Sequence, residues 1–466
     1  MADLSTPLAT LTSVLGPEAV RTDDTTLDSS SHDSWPLSTK LARLGRHEHR
    51  GDVVVRPTDE EQIRTVLATA AQHDVPVTAR GLGSSVTGQP LPVRGGIVLD
   101  LSALPTGYEL DEVDLVVTAS ASCNGGELED ALQARGYTLG HSPQSLYRSS
   151  VGGWLATLAT GQFSSYYGGI EDLVTGYTVI LATGEILRLT ASPRAAMGPD
   201  LRRLFLGSEG TLGVITSVTL KVFPLPETRL LETYTLPSVE AGVAVMRAQA
   251  AAGLRPFLLR LYDPVEARHA LQDETVDTAV MFAGTQGPSD IARAELDALG
   301  HLVAEHGGRA TGPEGAQKWM GRRFDFSSVE MLLDQEGGFA ETIEVAHTWR
   351  GILPLYHAMT KALAPLADEV LGHFSHVYTQ GTSLYLILRG SAESDSAAVE
   401  RLREIWATAM AVALEHGAEL SHHHGGGLAR SPYTRQSLGT AHLVLRRLKN
   451  TLDPDGVLNP GKLGLN

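Results

Sequence analysis

From residue 51 onward the chain alternates short apolar runs with longer amphipathic segments, the rhythm of strands broken by helices. Asp52 to Val55 reads as a buried strand. Thr58 then caps a helix with Glu61 as its capping-box partner, and Ile63, Val66, Leu67 and Ala70 form one apolar face over 62–73. Pro76 to Ala79, Gly95 to Leu101 and Leu115 to Ala119 predict further strands, and 126–134 a helix. Strands 177–181 and 186–189 flank a turn at Thr183-Gly184. A helix is predicted over 200–205 and a strand over 217–222. Before residue 51 the pattern is weak. A short helix fits Leu8 to Leu15, and the polar stretch carrying His32, His47 and His49 reads as solvated surface loop.

At Pro224-Leu225-Pro226 the rhythm changes. Strands are predicted over 230–236, 257–261, 279–282 and 383–388, and helices over 239–252, 290–306, 354–366 and 396–416. This is an α+β pattern with helices on one face of an antiparallel sheet. A last helix is expected over 437–452. The organisation expected is three segments, 1–225, 226–424 and 425–466, the last returning to the first.

Three loops interrupt the first segment with small residues. The central one, Ser149 to Val174, carries Gly152, Gly153, Gly161, Gly168 and Gly169 among the hydroxyls of Ser149, Ser150, Thr157, Thr160, Ser164 and Ser165, with no Lys or Arg. Such a stretch suits a ligand held by backbone N–H groups and hydroxyls; it equally suits a tight helix-packing surface. The second loop, Arg80 to Gly88, follows a strand and exposes consecutive N–H groups. It lacks the Lys-Ser/Thr of a Walker loop and the glycine spacing of a Rossmann turn. The third, Gly207 to Thr216, leads into a strand.

Composition narrows the classes. The 466 residues exceed one ordinary core. The formal net charge of −17 argues against general nucleic-acid binding and attraction to an anionic membrane. One cysteine, Cys123, excludes an intrachain disulfide and a CxxC metal site. No signal peptide or membrane-length apolar run is read, so a cytoplasmic location is expected.

The motifs ARGLGSSVTGQPLP, SSVGGWLATLATGQFSSYYGGIEDLV, GSEGTLGVIT and DPDGVLNPGKL together resemble the FAD-binding family that shares the vanillyl-alcohol oxidase and p-cresol methylhydroxylase flavin fold. Within it, SVGGW, IEDLV, LRLYD (259–263), ETIEVAHTW (341–349) and SHHHG (421–425) resemble the alkylglycerone-phosphate synthases. The resemblance implies a two-subdomain FAD-binding domain plus an α+β cap domain with an antiparallel sheet. It implies that Arg80, Gly81, Leu82, Gly83, Ser84, Ser85 and Val86 wrap the pyrophosphate. Pro143, Gln144, Ser145, Ser149, Ser150, Gly152, Gly153, Thr157 and Thr160 would line the rest of the cofactor. So would Glu209, Gly210, Thr211, Gly213, Val214 and Ile215. Covalent members carry a His in the first loop or a Cys after the second. Here Ser84 and Ser85 stand in the first loop and Cys123 lies in neither place, so non-covalent FAD is expected.

The same resemblance implies a catalytic Tyr385 and an active histidine run, His422, His423 and His424. Read without it, Tyr385 suits an inward strand tyrosine in the core, and the histidines a surface loop. Related D-lactate and 2-hydroxyglutarate dehydrogenases carry a metal-binding His and Glu where this chain has Tyr385 and His423, so no metal is expected. Arg260 matches a synthase arginine and reads either as a substrate contact or as a buried ion pair. Tyr378 is a further substrate candidate. Ungapped alignment sets Glu330 where the synthases place a substrate-binding arginine; a small gap would bring in Arg322 or Arg323. A carboxylate there would repel a phosphate. The expected activity is therefore FAD-dependent oxidation of a hydroxylated or amino-bearing small molecule, with redox-neutral alkylglycerone-phosphate synthesis as the alternative. The synthase resemblance also makes a homodimer plausible.

Overall fold

The computed structural model describes residues 4–465. Three sheets organise it. The first has four strands in the order Val20–Arg21, Val53–Val55, Ile97–Asp100, Val77–Arg80. Val53–Val55 and Val77–Arg80 both pair parallel with Ile97–Asp100. The helix Glu60–Gln72 makes the crossover, burying Ile63, Val66, Leu67 and Ala70 as its sequence pattern requires. Its N-cap is Asp59, whose carboxylate accepts from Gln62 N at 2.8 Å; Thr58, expected there, instead donates its N–H to Gln62 Oε1.

The second sheet is antiparallel, in the order Tyr108–Asp111, Val116–Ser120, Val214–Lys221, Val174–Ile180, Ile186–Leu189. Strand Val214–Lys221 begins earlier than its apolar run suggested, so the third loop feeds straight into it. Only a 3₁₀ turn, Leu201–Arg203, forms where a helix was expected over 200–205.

The third sheet has seven antiparallel strands, in the order Arg309–Gly312, Thr228–Leu236, Ala279–Gly287, Leu258–Tyr262, Glu369–Ser375, Gly381–Ser391, Gly338–Thr348. One face packs the large core under helices Val239–Ala251, Ser289–Glu305, Ile352–Leu363 and Asp395–Glu415. The other face is not bare. Helices Pro264–Leu271, Glu314–Arg322 and Ser327–Asp334 cover it in part and wall off a cavity. Helices on a single face were expected, and these three, of eight, nine and eight residues, were not foreseen.

The polar stretch before residue 51 is also more structured than expected. Helix Pro36–Arg43 is mostly buried. Its Lys40 is wholly enclosed, with Nζ donating to Asp395 Oδ1 at 2.7 Å and to Gln335 O at 2.8 Å. The C-terminal segment closes on the first sheet. Val77 N donates to Val457 O and Asn459 N to Val77 O, both at 2.7 Å. Asn459 Nδ2 donates to Glu209 O at 2.7 Å and Gln89 O at 3.1 Å, tying the third loop to the residues after the first. No helix among the described residues is long and apolar enough to cross a membrane.

Candidate active site

One continuous cavity of about 1080 Å³ runs from the small-residue loops to the open face of the seven-stranded sheet. Its loop end is built by close backbone approach. A Cβ on Gly81 would lie 2.5 Å from Ser150 Oγ, and one on Gly161 would lie 2.4 Å from Ser142 N. These glycines let the loops touch. The N–H groups of residues 82–86 donate to no atom among the described residues. At the same wall Gln162 Oε1 is buried without a partner among the described residues. The loop N–H groups, on half-exposed residues, are free for a ligand to take, and a buried acceptor left open, as at Gln162, is costly unless a ligand completes it. Together with the volume, they fit a dinucleotide cofactor whose phosphates lie on backbone N–H groups rather than on lysines. All the loop residues expected to touch the cofactor line this cavity except Thr211, which is fully buried and spends its hydroxyl on Ser208 O at 2.7 Å. Glu209 lines the wall, but its carboxylate accepts from Gly426 N at 2.5 Å and Gly427 N at 3.0 Å, clamping the chain just after the histidines.

The sheet end is set by the period-two alternation of strand Gly381–Ser391. Leu384, Leu386 and Leu388 are fully buried in the core, so Tyr385, Ile387 and Arg389 face the cavity. The Tyr385 ring stacks on His373, with centroids 4.7 Å apart and 16° between planes. Its hydroxyl lies 3.5 Å from His424 Nε2. Burial pushes the phenol up from its ordinary range, and nearby Glu344 adds to this, so Tyr385 is a neutral donor at physiological pH. His373 sits in a chain of its own. Arg260 Nη2 can only donate, so His373 Nε2 accepts (2.6 Å) and its Nδ1–H points to Glu266 at 2.8 Å. Arg260 is buried in this polar chain, bonded to His373 and Tyr262 with no carboxylate partner among the described residues, and it also lines the cavity.

The histidine run is held by a residue the pattern did not single out. Glu344 accepts from the backbone N–H of His422 and, at 2.9 Å, of His424, from Ser421 Oγ at 2.8 Å, and from Arg430 Nη2 at 3.2 Å. Burial would raise this carboxyl; Arg430 and the histidines outweigh it and hold Glu344 below the usual carboxylate range. The signal was present in ETIEVAHT, since a carboxylate within an apolar strand needs a buried partner. His423 and His424 line the cavity. His422 does not; its Nε2 pairs with the Tyr378 hydroxyl at 2.7 Å, and Tyr378 also stands off the wall. Both therefore sit behind the residues they were grouped with. His376, not anticipated, adopts φ +54° and stacks on His422 at 4.8 Å. Ligand nitrogens of His376, His422 and His423 come within 4.8 Å of one another, so the irregular loop converges rings that a regular element would splay. Glu330 lies at the cavity wall and is paired with Arg148 Nη1 at 2.6 Å. Arg322 and Arg323 also line the cavity, and Arg323 Nε is buried without a hydrogen-bond partner among the described residues.

Burial lowers His422 and His423 to about 3 and His424 to about 4, so all three are neutral at neutral pH. The unfolded chain takes up these protons as pH falls through about 6.5. The unfolded state therefore binds more protons below that point, and this stabilisation, complete above it, is lost as pH falls toward 3–4. Glu266 and Glu341, pushed up to about 8 by burial, work in the opposite sense as pH rises, so the test is a difference. Thermal melts of wild type and His422→Asn between about pH 7 and 5 should differ in slope by up to roughly 1.4 kcal/mol per pH unit, the variant being flatter. Parallel melts would show that His422 is not held neutral.

Comparison with known proteins agrees with this geometry. An FAD binding domain model matches residues 51–190, and the C-terminal domain model of FAD linked oxidases matches residues 225–463. The chain is 29% identical to the uncharacterized FAD-linked oxidoreductase YgcU of Escherichia coli K12, over 97% of each chain. It is 25% identical to alkyldihydroxyacetonephosphate synthase of Dictyostelium discoideum, over 90% of this chain and 74% of that one. The solved structure of p-cresol methylhydroxylase with substrate bound superposes with a TM-score of 0.83 at 15% identity, covering 99% of this chain and 97% of that one. The fold is thus the p-cresol methylhydroxylase type expected from the motifs. With the oxidase model spanning more than half of its length, the chain belongs to the FAD-linked oxidase family, and FAD is its cofactor.

Proposed function

We propose that this protein oxidises a hydroxylated or amino-bearing small molecule with non-covalently held FAD, using Tyr385, His423 and His424 for proton handling. The observation that carries this reading is the placement of a neutral phenol and two neutral imidazoles on the wall of the same cavity as the glycine-and-hydroxyl cradle. FAD, when bound, supplies the acceptor for two electrons as a hydride. The residues do the rest. Tyr385 O–H donates to the substrate oxygen or nitrogen and orients it. A neutral imidazole of the run accepts the proton that leaves as the C–H bond breaks, and Glu344 stabilises the imidazolium that forms. Non-covalent attachment is supported by Ser84 and Ser85 in the first loop and by Cys123, whose thiol donates to Gly107 O at 3.3 Å off the cavity wall. Acid precipitation should release the yellow colour.

A second reading is redox-neutral exchange on an acyl-glycerone phosphate. The cations Arg322 and Arg323 on the wall favour it, as does the pairing of Glu330 with Arg148, which removes much of the expected repulsion. An anaerobic absorbance titration with hydroxy acids, alcohols, amines and acyl-glycerone phosphate separates the two. Bleaching by a hydroxyl or amine compound is the expected result. Product from acyl-glycerone phosphate without net electron transfer would instead establish the exchange.

A further inference from the structure

The floor of the substrate end is graded, and the register of three strands makes the grading explicit. His373, Tyr385 and Glu344 form one row across the sheet. Leu371, Ile387 and Thr342 form the next. Glu369, Arg389 and Ala340 form the third. Of the middle row and its neighbours, Leu371, Ile387, Ala340 and Leu333 line the cavity together with Thr342 and give it a mainly apolar waist. Beyond the waist stand His269 and Arg389, both on the cavity wall. Arg389 lies four residues beyond Tyr385 on the same face, roughly 13 Å along an extended strand.

The far cation is oriented and has free capacity. Arg389 Nη1 donates to His269 Nδ1 at 3.2 Å, which makes His269 Nε2 the donor to Glu369 Oε1 at 3.0 Å. Glu369 is off the cavity wall and only 3.8 Å from Arg389 at its closest, so it neutralises the guanidinium incompletely. Arg389 Nε and Nη2 have no hydrogen-bond partner among the described residues. Those two parallel donors form the edge of the guanidinium fork that a planar carboxylate accepts in a bidentate way.

We propose that Arg389 is a specificity-determining anchor for a carboxylate carried at the far end of the substrate, separated by an apolar spacer from the carbon that reacts beside Tyr385. The substrate class is thus an amphipathic acid whose oxidisable hydroxyl or amine lies at the end opposite its carboxylate. This rests on the oxidoreductase reading for the reacting end and on the distal residues alone for the anchor.

The test uses the FAD-loaded protein and three matched probes: a medium-chain ω-hydroxy fatty acid, its methyl ester, and the corresponding alkan-1-ol. Calorimetry with a non-oxidisable straight-chain carboxylate supplies a binding readout that does not depend on turnover. Wild type should bind the acids roughly 10- to 100-fold more tightly than the uncharged probes. Arg389→Gln should abolish that preference while keeping its flavin and its affinity for the alkanol. Arg389→Lys, which keeps the charge and loses the fork, should retain part of it and guards against a folding defect in the first variant. Equal binding of acid and ester by wild type, or an unchanged preference in Arg389→Gln, overturns the anchor even if alcohols bleach the flavin. An acid preference lost in Arg389→Gln, with no probe ever bleaching the flavin, leaves the anchor standing and overturns the oxidoreductase reading instead.

Discussion

Tyr385→Phe is expected to lower turnover by about 10²- to 10⁴-fold, the usual worth of a positioned proton donor, while leaving FAD bound. The substitution removes one oxygen and little else. The ring keeps its stack on His373, and the hydroxyl gives up a 3.5 Å approach to His424 and its contact with Thr342, so the fold loses little. What disappears is a neutral donor on the cavity wall, one that burial keeps protonated well above physiological pH. Flavin content and melting temperature should match wild type, and the loss should fall on kcat more than on KM, since the hydroxyl acts most strongly as the C–H bond breaks. Unchanged turnover with a substrate that bleaches the wild-type flavin would remove Tyr385 from the chemistry and leave it an inward strand tyrosine.

The second large effect belongs to Glu344→Gln. The carboxylate is wholly buried and holds the histidine run by two backbone N–H groups and one seryl hydroxyl. Its counter-charge, Arg430, is 2% exposed and otherwise donates only to carbonyls, at Leu420, Gly425 and Glu344 itself. Glutamine preserves the shape and removes the charge, so a buried guanidinium is left unpaired. The expected cost is about 3–5 kcal/mol of stability, read by denaturant unfolding. Activity should fall with it, because His423 and His424 lose the anchor that sets their position. The double variant Glu344→Gln/Arg430→Met should recover part of the stability, since neither charge then remains. A single variant as stable as wild type would mean that the pair is solvated and does not organise the loop.

The parts of this site that could be read in the sequence are those built from local chemistry. A strand running into G-x-G-S-S needs glycine for close approach, and exposed N–H groups follow from the loop itself. The three small-residue loops were therefore legible as one kind of site, and all but Thr211 of their expected contacts reach the cavity. The position of Tyr385 was legible through its motif. That it faces the cavity follows from alternation with Leu384 and Leu386, a pattern visible in the chain once the strand is known. Other residues were hidden because their roles depend on partners far away in sequence. Glu344 meets Arg430 across 86 positions, and Arg260 meets His373 across 113. Lys40 is buried only because Asp395 and Gln335 come to it. The helices Pro264–Leu271, Glu314–Arg322 and Ser327–Asp334 were missed for a related reason: each has only eight or nine residues, and the core that Ala267, Ala316 and Trp319 join is completed by Tyr262, Val280 and Phe282 from other strands.

The sequence by itself determined the strand-and-helix rhythm, the cradle loops, the kind of cofactor they suit and the residue types available for proton transfer, because each depends on neighbours along the chain. The tertiary structure alone decided which of those residues share a wall. It turned His422 and Tyr378 to the rear of the histidine cluster, brought His376 into it, paired Glu330 with Arg148, and set Arg389 beyond an apolar waist from Tyr385. The physical reason is that burial and charge pairing are properties of three-dimensional neighbourhoods. A histidine becomes a neutral base, and an arginine an anchor with open donors, only when the packing around it takes away water and leaves the right partner absent or present.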